Sequence, residues 1–225
     1  MIGINEYGNE LTKKDIENKL HREFVGGLWE EIGALQYNFL LKRGLKPHHK
    51  LLDIGCGSLR GGCHFIKYLD EGNYYGLDIN SSLIEAGKLE IEEAALESKY
   101  PNLLVDEQFR FERFNEYFDF MLSQSLFTHL PMNIIVRCLC EVRNHLKPGG
   151  VYFSTFLQAP KSAHLDEIHH NPGGFITNYD CAPFHYSFEE LSWMASIAEL
   201  EATLVKEEDW IHPRNQKMAV FYIGK

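Results

Sequence analysis

The segment Leu51-Leu52-Asp53-Ile54-Gly55-Cys56-Gly57-Ser58-Leu59-Arg60-Gly61-Gly62 constrains this chain more than any other. A short apolar run suited to a buried strand passes straight into a glycine turn and then a helix, which is where open parallel sheets hold nucleotide-like ligands. Glycines at 55 and 57 let the backbone come against a ligand without a Cβ in the way. A dinucleotide fingerprint, G-x-G-x-x-G/A, needs a small third residue so that helix and strand can close up. That place is taken by Arg60, which weighs against a nicotinamide cofactor. Asp53 adds to the objection, because a carboxylate two residues before the first glycine repels a pyrophosphate and attracts a ligand carrying ammonium and sulfonium charges.

The rest of the chain supplies a sheet for that turn. Apolar runs at 50–55, 74–79, 102–105, 118–123, 150–156, 201–205 and 218–224 predict seven strands. Between them, Val25, Leu28, Trp29, Ile32, Leu35, Phe39 and Leu40 share one helical face and predict a helix over 25–43. Ile84, Gly87, Ile91 and Ala94 predict another after a Ser82-x-x-Glu85 capping box. Ile135, Leu139, Val142 and Leu146 predict a third, and a Ser187-x-x-Glu190 box opens a fourth. Alternating strands and helices argue an α/β fold: a Rossmann-like seven-stranded, mostly parallel sheet with helices on both faces. The last two strands lie too close in sequence for a helix between them, so the final strand is expected to be antiparallel. With 225 residues, 44% of them hydrophobic, the chain is long enough for one core. The expected plan is a single domain with an N-terminal helical cap (1–45), a cofactor-binding half (46–156), an insertion (157–186), and a C-terminal helix and strand pair (187–225).

Charge and cysteine usage narrow the partners. Lys and Arg total 22 against 32 Asp and Glu, a net charge of -10, which disfavours a nucleic-acid backbone. The five cysteines, Cys56, Cys63, Cys138, Cys140 and Cys181, are odd in number and form no CxxC pair, as in a reduced cytoplasm. Cys138-x-Cys140 falls on a helix, where residues two apart face different ways. No apolar stretch reaches the roughly 18–20 residues that span a bilayer, and no signal-peptide centre opens the chain, so a cytoplasmic protein without membrane insertion is expected.

Asp78 ends the second apolar run, 21 residues after Gly57, where a carboxylate accepts protons from both ribose hydroxyls. Ile79 follows as an apolar contact for an adenine. With Asp53 and the glycines, this favours S-adenosylmethionine. The ordered set DIGCGSLRGG, GLDIN, FDFMLSQSLFTHL and LKPGGVYFSTF resembles class I S-adenosylmethionine-dependent methyltransferases over about residues 50–156. By that resemblance Asp53, Gly55, Cys56 and Gly57 hold the methionine part, Asp78 the ribose and Ile79 the adenine, with the Asp106–Phe109 segment beside the adenine. S-adenosylhomocysteine is the product it implies. The string HREFVGGLWEEIGALQYNFL also resembles bacterial methyltransferases that decorate sugars of surface polysaccharides. The acceptor it implies is a small carbohydrate: a sugar, nucleotide sugar or sugar phosphate.

A hydroxyl acceptor must lose its proton, and the segment Gln124-Ser125-Leu126-Phe127-Thr128-His129-Leu130-Pro131 follows the fourth strand at its carboxyl end. His129 is the general-base candidate, its alternative being a helix-start residue bonded to backbone. Gln124 is placed to bond the methionine part, or to cap the strand end. The Asn-Pro-Pro-Tyr of many amine methyltransferases is replaced here by Ser-Gln-Ser-Leu, which favours O-methylation over N-methylation, while a cofactor-binding protein without catalysis stands as a third reading. The 30-residue insertion is long enough for a substrate lid, with His170, Tyr179, His185 and Tyr186 as acceptor residues and Phe184 as a further wall. If helical, its His164, Glu167 and His170 would suit a divalent ion, but that spacing is no ligand signature and no metal is expected. Trp29 and Gln36 read as core residues, although Gly26-Gly27 would suit a hinge over the cofactor. Arg214 and Lys217 read as a solvated turn that could meet an acceptor phosphate.

Overall fold

Gly26 and Gly27 decide where the long N-terminal helix begins. Both have positive φ (92° and 62°), as does Leu28 (46°), so the backbone enters the right-handed helical region only at Trp29. In the computed structural model, which describes residues 9–171 and 173–224, the helix expected over 25–43 therefore starts only at residue 29, and two short helices precede it. The three are α1 (Lys13–Glu17), α2 (Leu20–Phe24) and α3 (Trp29–Lys42).

The chain divides into two compact units, one within Glu6–Phe118 and one built on Asp119–Lys225. The first unit continues with β1 (Leu51–Ile54), α4 (Gly62–Tyr68), β2 (Tyr74–Asp78), α5 (Ser81–Glu93) and β3 (Asn102–Val105). β1 pairs in parallel with β2, Leu51 opposite Tyr74, and β2 with β3, Tyr75 opposite Asn102. Every residue of β1 and β2 is buried, as strands covered on both faces require. The Ser82–Glu85 capping box does not form. Asn80 caps α5 instead, its Oδ1 accepting from the N–H groups of Ser82 (2.9 Å) and Leu83 (3.2 Å), and the helix starts at Ser81, ahead of the expected cap.

The second unit carries β4 (Phe118–Ser123), α6 (Met132–His145), β5 (Leu146–Phe156), β6 (Ile168–His169), β7 (Ile176–Thr177), α7 (Phe188–Ile197), β8 (Glu201–Leu204) and β9 (Lys217–Tyr222). β5 begins at Leu146, directly after α6, and not at 150. The Ser187 box forms as read, Ser187 Oγ accepting from the Glu190 N–H while the Glu190 carboxylate accepts from the Ser187 N–H. β9 runs antiparallel to both β5 and β8. The seven main strands have the order β3-β2-β1-β4-β5-β9-β8, and β6 and β7 form a separate two-stranded ribbon inside the insertion. Among the described residues no helix is long and apolar enough to cross a membrane.

Candidate functional site

In the first unit the carboxyl ends of β1 and β2 carry two buried carboxylates. Asp53, the third residue of β1, accepts a hydrogen bond from the Tyr74 hydroxyl at 2.8 Å. Burial pushes its pKa up to about 7, with the Asp78 charge adding to the rise and the Tyr74 bond and the Arg60 charge opposing it. Past β1 the chain turns through Gly55 (φ 73°) and Gly57 (φ 55°), and the N–H groups of Gly55 and Cys56 both donate to the Leu77 carbonyl. The Gly57 N–H donates to Asp78 Oδ2 at 2.8 Å, and the Asn80 N–H to Asp78 Oδ1 at 2.9 Å. Each Asp78 oxygen thus keeps lone-pair capacity, and burial raises this carboxyl against those backbone bonds. Cys56 is buried, and burial together with the Asp78 and Asp53 charges keeps its thiol protonated. Ile79 is 54% exposed beside Asp78.

The remaining two expected positions of this unit do something else. Asp106 is filled by four donors: the N–H groups of Gln108 (2.8 Å) and Arg110 (3.1 Å) on Oδ1, and the side chains of Arg110 (2.6 Å) and Arg113 (3.1 Å) on Oδ2. Burial acts to raise its pKa, yet these donors hold it below the usual carboxylate range, so Asp106 shapes the loop. Phe109 has a φ of 58° and its ring is buried edge-on to Phe111. Arg60, the residue that excludes the dinucleotide motif, is itself buried and donates to the carbonyls of Val25 (3.0 Å) and Gly27 (2.8 Å), fixing the link between α2 and α3. Sequence reading had no signal for that task, since its partners are backbone atoms some 35 residues away. Gln36 is buried with its amide N–H on the Ile32 carbonyl, and Trp29 lies under the Arg22 guanidinium, so both serve packing.

In the second unit, His129 closes a single 3-10 turn, Phe127–His129, with its backbone N–H on the Leu126 carbonyl. Burial lowers its pKa to about 4, so the ring is neutral throughout the physiological range and a weaker base than an unperturbed histidine. Gln124 is half-buried. Its amide nitrogen reaches Ser125 Oγ (3.0 Å), His212 Nε2 (3.1 Å) and Gln216 Oε1 (3.1 Å), while its own Oε1 is buried without a hydrogen-bond partner among the described residues.

The insertion is not the polar loop its composition suggests. His170 Nε2 meets Thr177 Oγ1 at 2.7 Å, Thr177 Oγ1 meets His185 Nδ1 at 2.8 Å, and His185 Nε2 meets the His164 carbonyl at 2.9 Å. His170, Thr177 and His185 are buried. Tyr186 is buried too, its hydroxyl donating to the Leu130 carbonyl at 2.6 Å, so three of the four expected acceptor residues are built into the framework. Tyr179 is the exposed one, at 39%, its ring 5.1 Å from that of His164. Nor do His164, Glu167 and His170 gather: the segment is not helical, His164 bonds Glu190, Glu167 pairs with His169, and His170 faces Thr177. Cys138 is buried on α6 while Cys140 is partly exposed, and Lys217 pairs with Glu207.

Residues 52–152 match the family model described as a methyltransferase domain. A probable methyltransferase, ltbC, of Aspergillus luteorubrus is 28% identical over 133 residues, 55% of this chain and 47% of that protein. A ubiquinone biosynthesis O-methyltransferase of Hahella chejuensis is 26% identical over 140 residues, 59% of this chain and 53% of its own. The chain thus spans about half the length of these curated relatives. Among solved structures, the CcbJ methyltransferase of Streptomyces caelestis superposes with a TM-score of 0.69 at 16% identity, covering 97% of this chain and 98% of that one. An S-adenosylmethionine-dependent methyltransferase of Clostridium acetobutylicum gives 0.66 at 10%, covering 95% and 100%. The glycopeptide N-methyltransferase MtfA, complexed with sinefungin, gives 0.62 at 13%, covering 85% and 94%. The fold is that of the class I methyltransferases.

Proposed function

We propose, taking a methyltransferase domain over residues 52–152 as the premise, that this chain transfers a methyl group from S-adenosylmethionine to a small hydroxyl acceptor, releasing S-adenosylhomocysteine. The acceptor class is carbohydrate: a sugar, nucleotide sugar or sugar phosphate of surface-glycan biosynthesis, handled in the cytoplasm.

One observation carries the cofactor. Among the described residues of the first unit, the carboxylates of Asp53, Asp78, Glu90 and Asp106 are buried. Arginine donors hold Asp106 low, and against its own burial Glu90 is held at about 2 by His21 and Arg22. Asp53 and Asp78 are raised by burial and accept no hydrogen bond from lysine or arginine among the described residues. A cationic ligand would relieve both. S-adenosylmethionine supplies a methyl carbon made electrophilic by its positive sulfur. Asp53, Gly55, Cys56 and Gly57 hold the methionine part, Asp78 accepts from the ribose hydroxyls and Ile79 covers the adenine; the resemblance assigns Gln124 to the methionine part as well. His129, neutral at physiological pH, takes the acceptor's proton on a ring nitrogen.

The low basicity of His129 keeps an amine acceptor as the second reading, because a desolvated amine is nucleophilic without a base. Incubation with S-adenosylmethionine carrying a deuterated methyl group and a panel of nucleotide sugars, sugar phosphates and amines, read by mass spectrometry, separates the two. Label on a sugar hydroxyl, lost in His129→Ala with S-adenosylhomocysteine affinity retained, is the expected result. Label on an amine that survives His129→Ala replaces the first reading with the second.

A further inference from the structure

The insertion reaches His129 through the backbone on both of its sides. The Phe184 N–H donates to the Thr128 carbonyl at 2.6 Å, and the Tyr186 hydroxyl donates to the Leu130 carbonyl at 2.6 Å. Those two carbonyls flank His129 in sequence. Leu130 is held extended (φ -115°, ψ 131°) by the proline that follows it, and Pro131 starts α6, its own carbonyl accepting from Ile134 and Ile135. Leu130 thus presents its carbonyl to Tyr186. Thr128 adds a bond from its hydroxyl to the Ser125 carbonyl at 2.7 Å.

Tyr186 is anchored at its other end. Its backbone N–H donates to Leu157 and its carbonyl accepts from Ala159, directly beyond the end of β5, and its ring stacks on Phe184. The insertion behind it is tied together internally. His185 Nε2 can only donate to the His164 carbonyl, and the Thr177 hydroxyl bridges His185 Nδ1 and His170 Nε2. A continuous buried chain of this kind suits a fixed support better than a moving lid.

We propose that Tyr186 is a positioning residue for His129, its hydroxyl acting with the Phe184 N–H to hold the two flanking carbonyls, so that the acceptor insertion sets where the imidazole stands. This rests on the reading of His129 as the base.

The test is a pH titration of the His129 ring by NMR in histidine-labelled protein, the signal assigned by its loss in His129→Gln. The hydroxyl is removed in Tyr186→Phe, which keeps every ring carbon, and a para donor is restored with 4-aminophenylalanine at position 186. In Tyr186→Phe the His129 midpoint, near 4 in the parent, rises by roughly one unit as the loosened turn admits water. Amide exchange at His129 and Leu130 speeds up about tenfold. S-adenosylhomocysteine affinity stays the same, and the amino variant returns the parent values. An unmoved midpoint in folded Tyr186→Phe, or a rise that the amino group does not reverse, overturns the proposal. If Tyr186→Phe moves the midpoint but turnover survives His129→Ala, the base reading falls and Tyr186 is left holding a histidine without a catalytic task. If the midpoint is unmoved and turnover is lost in His129→Ala, the base stands without this support.

Discussion

The cradle at the ends of β1 and β2 and the insertion at 157–186 both bury polar side chains, in opposite states. In the insertion, His170, Thr177, His185 and the His164 carbonyl hydrogen-bond one another in a continuous chain. In the cradle, Asp53 and Asp78 are raised by burial and, among the described residues, are met by a phenol and backbone N–H groups rather than by a lysine or arginine hydrogen bond. Buried polar groups that complete their own network build shape, whereas buried charges left short of a counter-ion mark where a ligand of opposite charge binds. Glu90 and Asp106 sharpen the point within one unit: equally buried, they have arginines and serve structure.

The contrast predicts separable failures. Asp78→Asn should weaken S-adenosylmethionine binding about a hundredfold by calorimetry, a charge-assisted pair of bonds being worth roughly 2–3 kcal/mol, with little change in thermal midpoint. Thr177→Val should do the reverse. It removes the hydroxyl that bridges His185 Nδ1 and His170 Nε2, and should cost about 2 kcal/mol in chemical denaturation while cofactor affinity changes less than twofold. A cofactor-affinity loss in Thr177→Val as large as in Asp78→Asn would erase the distinction.

The smallest effect is a pH dependence. Asp53 has a folded pKa of about 7 against about 3.9 for a free aspartate. The folded state therefore binds the extra proton between those values, and this group's contribution to stability declines as pH rises from about 4 to 7. Affinity for a cationic cofactor runs the other way. It should rise about fivefold from pH 6 to 7 and about twofold more by pH 8 before levelling off, and Asp53→Asn should flatten the profile. A flat profile in the parent would mean that Asp53 does not face the cation.

The strands were the most readable part of this chain. All seven apolar runs became strands of one sheet and β9 turned antiparallel; the signal is clearest for β1 and β2, which are buried along their whole length and so must be apolar runs bounded by turn residues. Helix starts were less readable. The cap of α5 fell to Asn80 rather than Ser82, since several polar residues in a row can cap and local geometry chooses among them. Asp106 was legible as a carboxylate after β3, but the arginines that fill it lie four and seven residues further on, within an irregular loop whose course no periodicity reports.

What the sequence determined by itself is the sheet and the glycine turn, because apolar periodicity and a strand ending in Asp53-Ile54-Gly55-Cys56-Gly57 act over a few neighbouring residues. Only the tertiary structure decided which buried polar groups meet one another. Tyr186 meets Leu130 across 56 positions and Arg60 meets Val25 across 35. A hydrogen bond between distant segments leaves no mark on the residues around either partner, so a wall for a sugar and a prop for a backbone carbonyl look the same until the chain has folded.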